Sequence, residues 1–210
     1  MRDLLLLHGA GGRPDDWTDF ISFVTGFRCT APDLTGLTTW AAMLDHLDGL
    51  GLDNPAVVGH SLGGALGIQW AHRHPECPGV VNLDGHGHPS TYPGLSDDAV
   101  ATGKAKLKEV FDEMAEQMPP EHVALRPLID DGTVHDFYDG LTTRHLAVVA
   151  TKLMTAQEPF ADYYNAMRAG VLADLTAAGA NVVEFDGSHA MLQENPEKLA
   201  RLALDFLMES

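Results

Sequence analysis

The stretch AVVGHSLGGAL, Ala56 to Leu66, runs from an apolar β-branched pair into a serine hemmed by Gly59, Gly63 and Gly64, then into an alanine-leucine run. A strand signal that meets a helix signal with almost nothing between forces a tight turn. Glycines on either side remove the side chains that would collide in it. Ser61 is left at the apex of a G-x-S-x-G turn with its hydroxyl exposed, and Leu62 offers a backbone N–H at the start of the helix. Whether that turn is chemistry or simple chain reversal is decided by what surrounds it.

Working outward, six short apolar runs read as strands: Leu4–Leu7, Phe27–Thr30, Ala56–Val58, Val80–Leu83, Leu146–Ala150 and Val182–Phe185. Most are apolar throughout rather than alternating, as expected of strands buried on both faces of a parallel sheet. Helix-period stripes lie between them. Trp40, Met43, Leu44, Leu47 and Leu50 make one, and Phe160, Tyr163, Met167, Val171 and Leu175 a second. A third, Leu199, Leu202 and Phe206, follows Asn195 as N-cap and Pro196 at the first helical position. The pattern predicts a doubly wound α/β fold with a six-stranded, mainly parallel sheet.

One insertion breaks the alternation between the fourth and fifth strands, spanning residues 86–144 and far longer than an ordinary connection. Residues 1–85 and 145–210 then form the core of a single domain, and the insertion reads as a helical lid. It contains a helix with Val100, Leu107, Phe111, Met114 and Met118 on one side, stopped by Pro119 and Pro120.

The bulk composition narrows the function classes. At 210 residues and 45% apolar content the chain fits one ordinary globular domain. Thirty acidic against thirteen basic residues, a net charge of −17, repel phosphate backbones and anionic membrane surfaces, which argues against nucleic acid or membrane as partner and leaves a small-molecule substrate as the expected one. Cys29 and Cys77 sit in no metal or redox spacing and read as reduced thiols, which fits a cytoplasmic setting. Leu4–Leu7 is too short for a signal-peptide core, and no apolar segment is long enough to span a membrane. Nothing in the composition fixes an oligomeric state.

Three motifs stand at strand ends in a telling order: LLLLHGAGG after the first strand, VVGHSLGG after the third and VVEFDGSHAMLQENP after the sixth. On these the chain resembles the α/β-hydrolase superfamily over nearly its whole length, its strands similar to that family's third to eighth. The family's usual first two antiparallel strands are missing, so the chain resembles a member truncated at its N-terminus.

The residue types have their own logic. A serine hydroxyl is a poor nucleophile at neutral pH and needs an imidazole to take its proton as it attacks a carbonyl. His189, in the glycine-containing loop DGSH, is the candidate base, placed over the C-terminal sheet edge where open α/β sheets put their sites. The resemblance implies an oxyanion hole from the backbone N–H groups of Ala10 and Leu62. His8 and His60, flanking the motifs, read as structural. The pairs His72/His74 and His86/His88 lack a third ligand in register, so no metal is implied, and no cofactor either.

The acid partner of His189 is where the chain departs from the family pattern. The strand LAVVA is followed by TKLMTAQEPF, where Glu158 is the first carboxylate, while VVNLDGHGH ends its strand in Asp84. Asp84 is the favoured acid and Glu158 the alternative, with Asp162 or no acid at all behind them. Candidate substrate contacts are Gly11 in the oxyanion loop and His86, Tyr92, Phe137 and Tyr138 in the insertion, with Met114 and Met118 beside them; core packing is the competing role for the insertion's apolar side chains. The resemblance implies hydrolysis of a carboxylic ester, thioester or lactone through an acyl-enzyme on Ser61. Carbon–carbon hydrolysis, perhydrolysis, acyl transfer or lyase chemistry on the same fold remain open, as does a non-catalytic small-molecule receptor.

Overall fold

The computed structural model describes residues 1–209. Six strands, β1 (Arg2–Leu7), β2 (Phe27–Thr30), β3 (Ala56–His60), β4 (Val80–Leu83), β5 (His145–Ala150) and β6 (Asn181–Phe185), form one sheet in the order β2-β1-β3-β4-β5-β6. All neighbours pair in parallel. Ten helices accompany them among the described residues: α1 (Thr18–Ser22), α2 (Trp40–Asp48), α3 (Leu62–Arg73), α4 (Asp97–Ala115), α5 (Pro120–Ala124), α6 (Arg126–Asp130), α7 (Val134–Tyr138), α8 (Ala161–Ala177), α9 (Met191–Glu194) and α10 (Pro196–Met208).

The period-2 geometry of a strand explains how one leucine run serves two cores. Leu5 and Leu7 point to one face, where they meet Met43 and Leu47 of α2, Leu66 and Ile68 of α3 and Leu175 of α8. Leu4 and Leu6 point to the other, with Trp17, Phe20 of α1, Met191 of α9 and Leu199 and Phe206 of α10. Helices on both faces leave the central strands buried, and each buried leucine contributes about 1.5–3 kcal/mol. Strand β6, at the sheet edge, is less buried than its apolar sequence suggests.

The stripes expected from the sequence are realised with local shifts. On α8 the buried positions are Tyr163, Ala166, Gly170, Val171, Asp174 and Leu175, while Phe160 falls in the 3-10 turn before the helix. On α10 the buried set also includes Ala200, Ala203, Leu204 and Leu207. That helix starts at Pro196 as its sequence requires, yet Asn195 makes no side-chain capping bond.

The insertion is not uniform. Ser96 caps α4 by accepting the N–H of Ala99, and the helix buries no residue, with Met114 exposed and Met118 exposed beyond its end. Val134, Phe137 and Tyr138 of α7, by contrast, sit in the core cluster with α3 and α8. No helix among the described residues is long and apolar enough to cross a membrane.

Candidate active site

The chain leaves β1 to form β2 on one side and returns to place β3 on the other, so the C-terminal ends of β1 and β3 border the point where strand order reverses. Open α/β sheets have their ligand crevice there. Ser61 stands at that end of β3 with φ 55° and ψ −124°, a left-handed backbone that costs of order 1–3 kcal/mol and turns the chain sharply into α3. The elbow closes only because its glycines have no side chains. A Cβ on Gly59 would lie 2.0 Å from the Gly63 carbonyl oxygen, and one on Gly63 would lie 2.1 Å from that of Leu7.

After β1 the chain turns tightly, Gly12 N–H donating to the Gly9 carbonyl at 3.0 Å, with Gly11 at φ +73°. A Cβ on Gly9 would touch Cβ of Ser61 at 3.0 Å, so this loop lies directly against the serine, with exposed Ala10 the next residue along. The loop is anchored from below by His8, buried, whose Nδ1–H donates to the Gly9 carbonyl at 2.9 Å and whose Nε2 accepts the N–H of Leu34 at 3.0 Å.

His189, after β6, reaches Ser61 from the other side. The Ser61 hydroxyl donates to His189 Nε2 at 3.0 Å, and His189 Nδ1–H donates to Asp84 Oδ2 at 2.7 Å. Asp84 Oδ1 in turn accepts the N–H of Ala150 at 2.9 Å. Burial works against a charged imidazole at His189, but the hydrogen bond and charge of Asp84 outweigh it and raise its pKa. The same pairing overcomes the burial of Asp84 and holds its carboxyl below the ordinary range. Of the two carboxylates singled out in the sequence, Asp84 is therefore the one in contact with the imidazole. Glu158 is exposed and lines a broad groove of about 510 Å³ between α4 and the start of α8.

Two features holding His189 escape sequence reasoning. His60 Nε2–H donates to the backbone carbonyl of His189 at 2.8 Å, and burial together with the neighbouring imidazole pushes the His60 pKa down to about 4, so it stays neutral. Ser188 is pinned by Glu194, its hydroxyl donating to Oε1 at 2.7 Å and its N–H to Oε2 at 3.1 Å. The GSH…ENP spacing carries that second contact, because the glutamate returns on the first turn after the loop.

The expected substrate contacts are only partly gathered. Gly11 and Leu62 line a small cavity of about 20 Å³, room for about one water, walled by Leu34, Met43, Leu66 and Leu125. Glu121 and His122 of α5 close it, the His122 ring lying 3.2 Å from where a Cβ on Gly11 would be; neither was anticipated, since nothing local distinguishes them from solvated helix residues. Phe137 and Tyr138 are corrected from pocket to core: their residual exposure is 3% and 2%, and Phe137 packs edge-on against Trp40. His86 is likewise buried and bonded to protein at both ring nitrogens. Tyr92 stacks near Tyr163, hydroxyl to hydroxyl at 3.3 Å, away from the cavity. His72 and His74 are engaged by the Phe137 carbonyl and Asp48.

A doubly wound parallel sheet with a strained serine elbow, an imidazole and a carboxylate in hydrogen-bonded series defines a class of enzyme-like α/β proteins. Residues 4–202 match the alpha/beta hydrolase family, and the chain belongs to it. A curated relative, 2-hydroxy-6-oxo-6-phenylhexa-2,4-dienoate hydrolase from Burkholderia cepacia, is 29% identical over an alignment of 103 residues that covers 40% of this chain and 36% of that protein. The alignment thus spans about a third of the relative's length. Among solved structures, the enol-lactonase from Burkholderia xenovorans LB400 superposes with a TM-score of 0.68 at 19% identity, covering 99% of this chain and 92% of that one. A thermophilic esterase from Thermogutta terrifontis gives 0.67 at 20% identity, covering 99% and 89%.

Proposed function

We propose that the protein is a serine hydrolase of carboxylic esters, thioesters or lactones. The observation that carries the reading is the unbroken series from Ser61 Oγ through His189 to Asp84, at 3.0 and 2.7 Å. Ser61 Oγ attacks the substrate carbonyl carbon as His189 Nε2 takes its proton. Asp84 keeps the remaining proton on Nδ1 and stabilises the imidazolium. The N–H groups of Ala10 and Leu62 receive the developing oxyanion. The imidazolium then passes its proton to the leaving oxygen or sulfur, and His189 deprotonates a water that releases the acid from the acyl-enzyme. None of these steps calls for a cofactor.

A second reading, carbon–carbon hydrolysis, is favoured by the dienoate hydrolase among the relatives, since a serine poised for an ester carbonyl also faces a ketone. A panel of p-nitrophenyl esters of rising acyl length, lactones, acyl-thioesters and a 6-oxo-dienoate separates the two. Turnover of an ester, lactone or acyl-thioester supports the first reading. Turnover of the dienoate alone supports the second, and no turnover of any overturns both.

A further inference from the structure

The acid is held by a buried polar network that the catalytic reading does not use. Asp84 occupies a left-handed backbone, φ 59°, at the end of β4, and its N–H donates to the carbonyl of Val148 on β5 at 2.8 Å. That carbonyl also receives His86 Nε2–H at 3.0 Å. A carbonyl only accepts, so the proton of His86 is on Nε2 and Nδ1 is left as an acceptor. Tyr138 fills it, its hydroxyl donating at 2.8 Å, and the Tyr138 oxygen accepts from Asn82 Nδ2 at 3.0 Å. Asn82 closes the turn on itself. Its Nδ2 donates to the Gly85 carbonyl at 2.8 Å and its Oδ1 accepts the Gly85 N–H at 2.9 Å. The turn is pressed against the elbow, for a Cβ on Gly85 would sit 1.8 Å from the Ser61 carbonyl oxygen.

Every bond in this series has one permitted direction, from the Asn82 amide through the Tyr138 hydroxyl and His86 to Val148, and Asn82, His86 and Tyr138 are all buried. A series so directed has one low-energy arrangement and holds what it touches rigidly. We propose that Asn82, His86 and Tyr138 are positioning residues that hold the Asp84 turn against the elbow so that its carboxylate meets His189. This rests on the reading of Ser61, His189 and Asp84 as the catalytic series. It makes the last helix of the insertion part of the site's support, although none of its residues touches the reacting atoms.

The charged and titratable groups facing this turn are Asp84 and His189 from the site, His60 of β3, which feels the charges of both, His145 of β5, whose ring lies 5.5 Å from that of Tyr138, and Arg168 of α8, which feels the charge of Asp84. Burial keeps His86 neutral, so it does not compete with His189 for the carboxylate.

The test is Tyr138→Phe in the full chain, assayed on a p-nitrophenyl ester, with active sites counted by a fluorophosphonate so that misfolded protein is excluded. Thr143→Val, which removes a buried hydroxyl bonded to the Pro75 carbonyl at the opposite end of β5, is the stability control. Tyr138→Phe is expected to lower kcat per counted site by about 10–100-fold, as loss of an outer supporting contact does, with KM unchanged. The midpoint of the acidic limb of kcat/KM should also fall, because a displaced Asp84 no longer raises the pKa of His189. The control should lose melting temperature alone. A Tyr138→Phe enzyme with wild-type kcat per site and wild-type midpoint overturns the inference, whatever its melting temperature. If Tyr138→Phe does not fold, His86→Phe, which keeps a ring and loses both the donor to Val148 and the acceptor for Tyr138, is read the same way. Wild-type protein that takes up no phosphonate overturns the catalytic reading and this inference with it, whereas labelling with an unchanged variant profile overturns this inference alone.

Discussion

Ser61, His189 and Asp84 each sit where one substitution isolates one role. Ser61→Ala keeps the elbow backbone and removes only the hydroxyl, so the melting curve should hold while ester turnover falls by about 10⁶-fold, and His189→Ala should fall as far. Asp84→Asn is more informative, because the two influences on His189 oppose each other: burial lowers its pKa and Asp84 raises it. In the wild type the base is neutral only above the ordinary imidazole value of about 6.5, so kcat/KM should rise with pH through a midpoint above it. With the carboxylate gone, burial acts alone, and the midpoint should drop below about 6.5 while turnover falls by about 10⁴-fold. Glu158→Gln, remote in its exposed groove, should leave rate and pH profile untouched; a dead Glu158→Gln beside an active Asp84→Asn reverses the assignment. At this scale the sequence is most legible where chemistry needs a residue type at a fixed offset from a strand end, as with Ser61 and His189. The contact between Asn82 and Tyr138 is not legible in the sequence, where Tyr138 reads as a substrate contact, since it bridges 56 residues.

The elements were readable for a related reason. Central strands buried on both faces must be apolar throughout, so LLLL and AVV announce themselves, and the glycine spacing after them shows where β3 meets α3. The turn's close contacts lead to a sharp expectation: Gly63→Ala pushes a methyl into the Leu7 and His8 carbonyl oxygens, 2.1 and 2.6 Å from the new atom. Backbone must move, and because Leu7 and His8 lead into the Gly9–Gly12 turn that lies against Ser61, thermal stability should fall by about 1–3 kcal/mol together with activity. A variant with wild-type melting and turnover would show that the elbow is looser than its geometry implies. What periodicity missed were positions where tertiary contacts override it. On α8 buried Asp174 interrupts the apolar stripe because it accepts the N–H and hydroxyl of Ser90 at 2.5 and 2.7 Å, tethering the start of the insertion.

For the molecule as a whole, the insertion divides into an exposed part and an embedded part. Helix α4 buries no residue, and its Gly103 lies against the Tyr163 ring; α7 is embedded between α3 and α8. Replacing residues 97–118 by a short Gly/Ser linker should therefore leave cooperative unfolding intact and shift the acyl-length preference in the ester panel. Phe137→Ala should instead cost about 3–5 kcal/mol, as truncation of a buried aromatic does. Unfolding of the first variant, or a Phe137→Ala protein as stable as its parent, contradicts that division. A pattern reading sees one long interruption between strands and does not divide it, because the burial of the five-residue α7 is set by the long-range packing of Val134, Phe137 and Tyr138 against α3 and α8.

The most direct test of the central claim is intact-mass measurement after brief exposure to a fluorophosphonate, on the wild type, Ser61→Ala, His189→Ala and Asp84→Asn. Wild-type protein should carry one stoichiometric adduct, mapped to Ser61, and Ser61→Ala none. Labelling should be slowed by orders of magnitude in His189→Ala and Asp84→Asn. An unlabelled wild type, or an adduct that persists in Ser61→Ala, would contradict that claim.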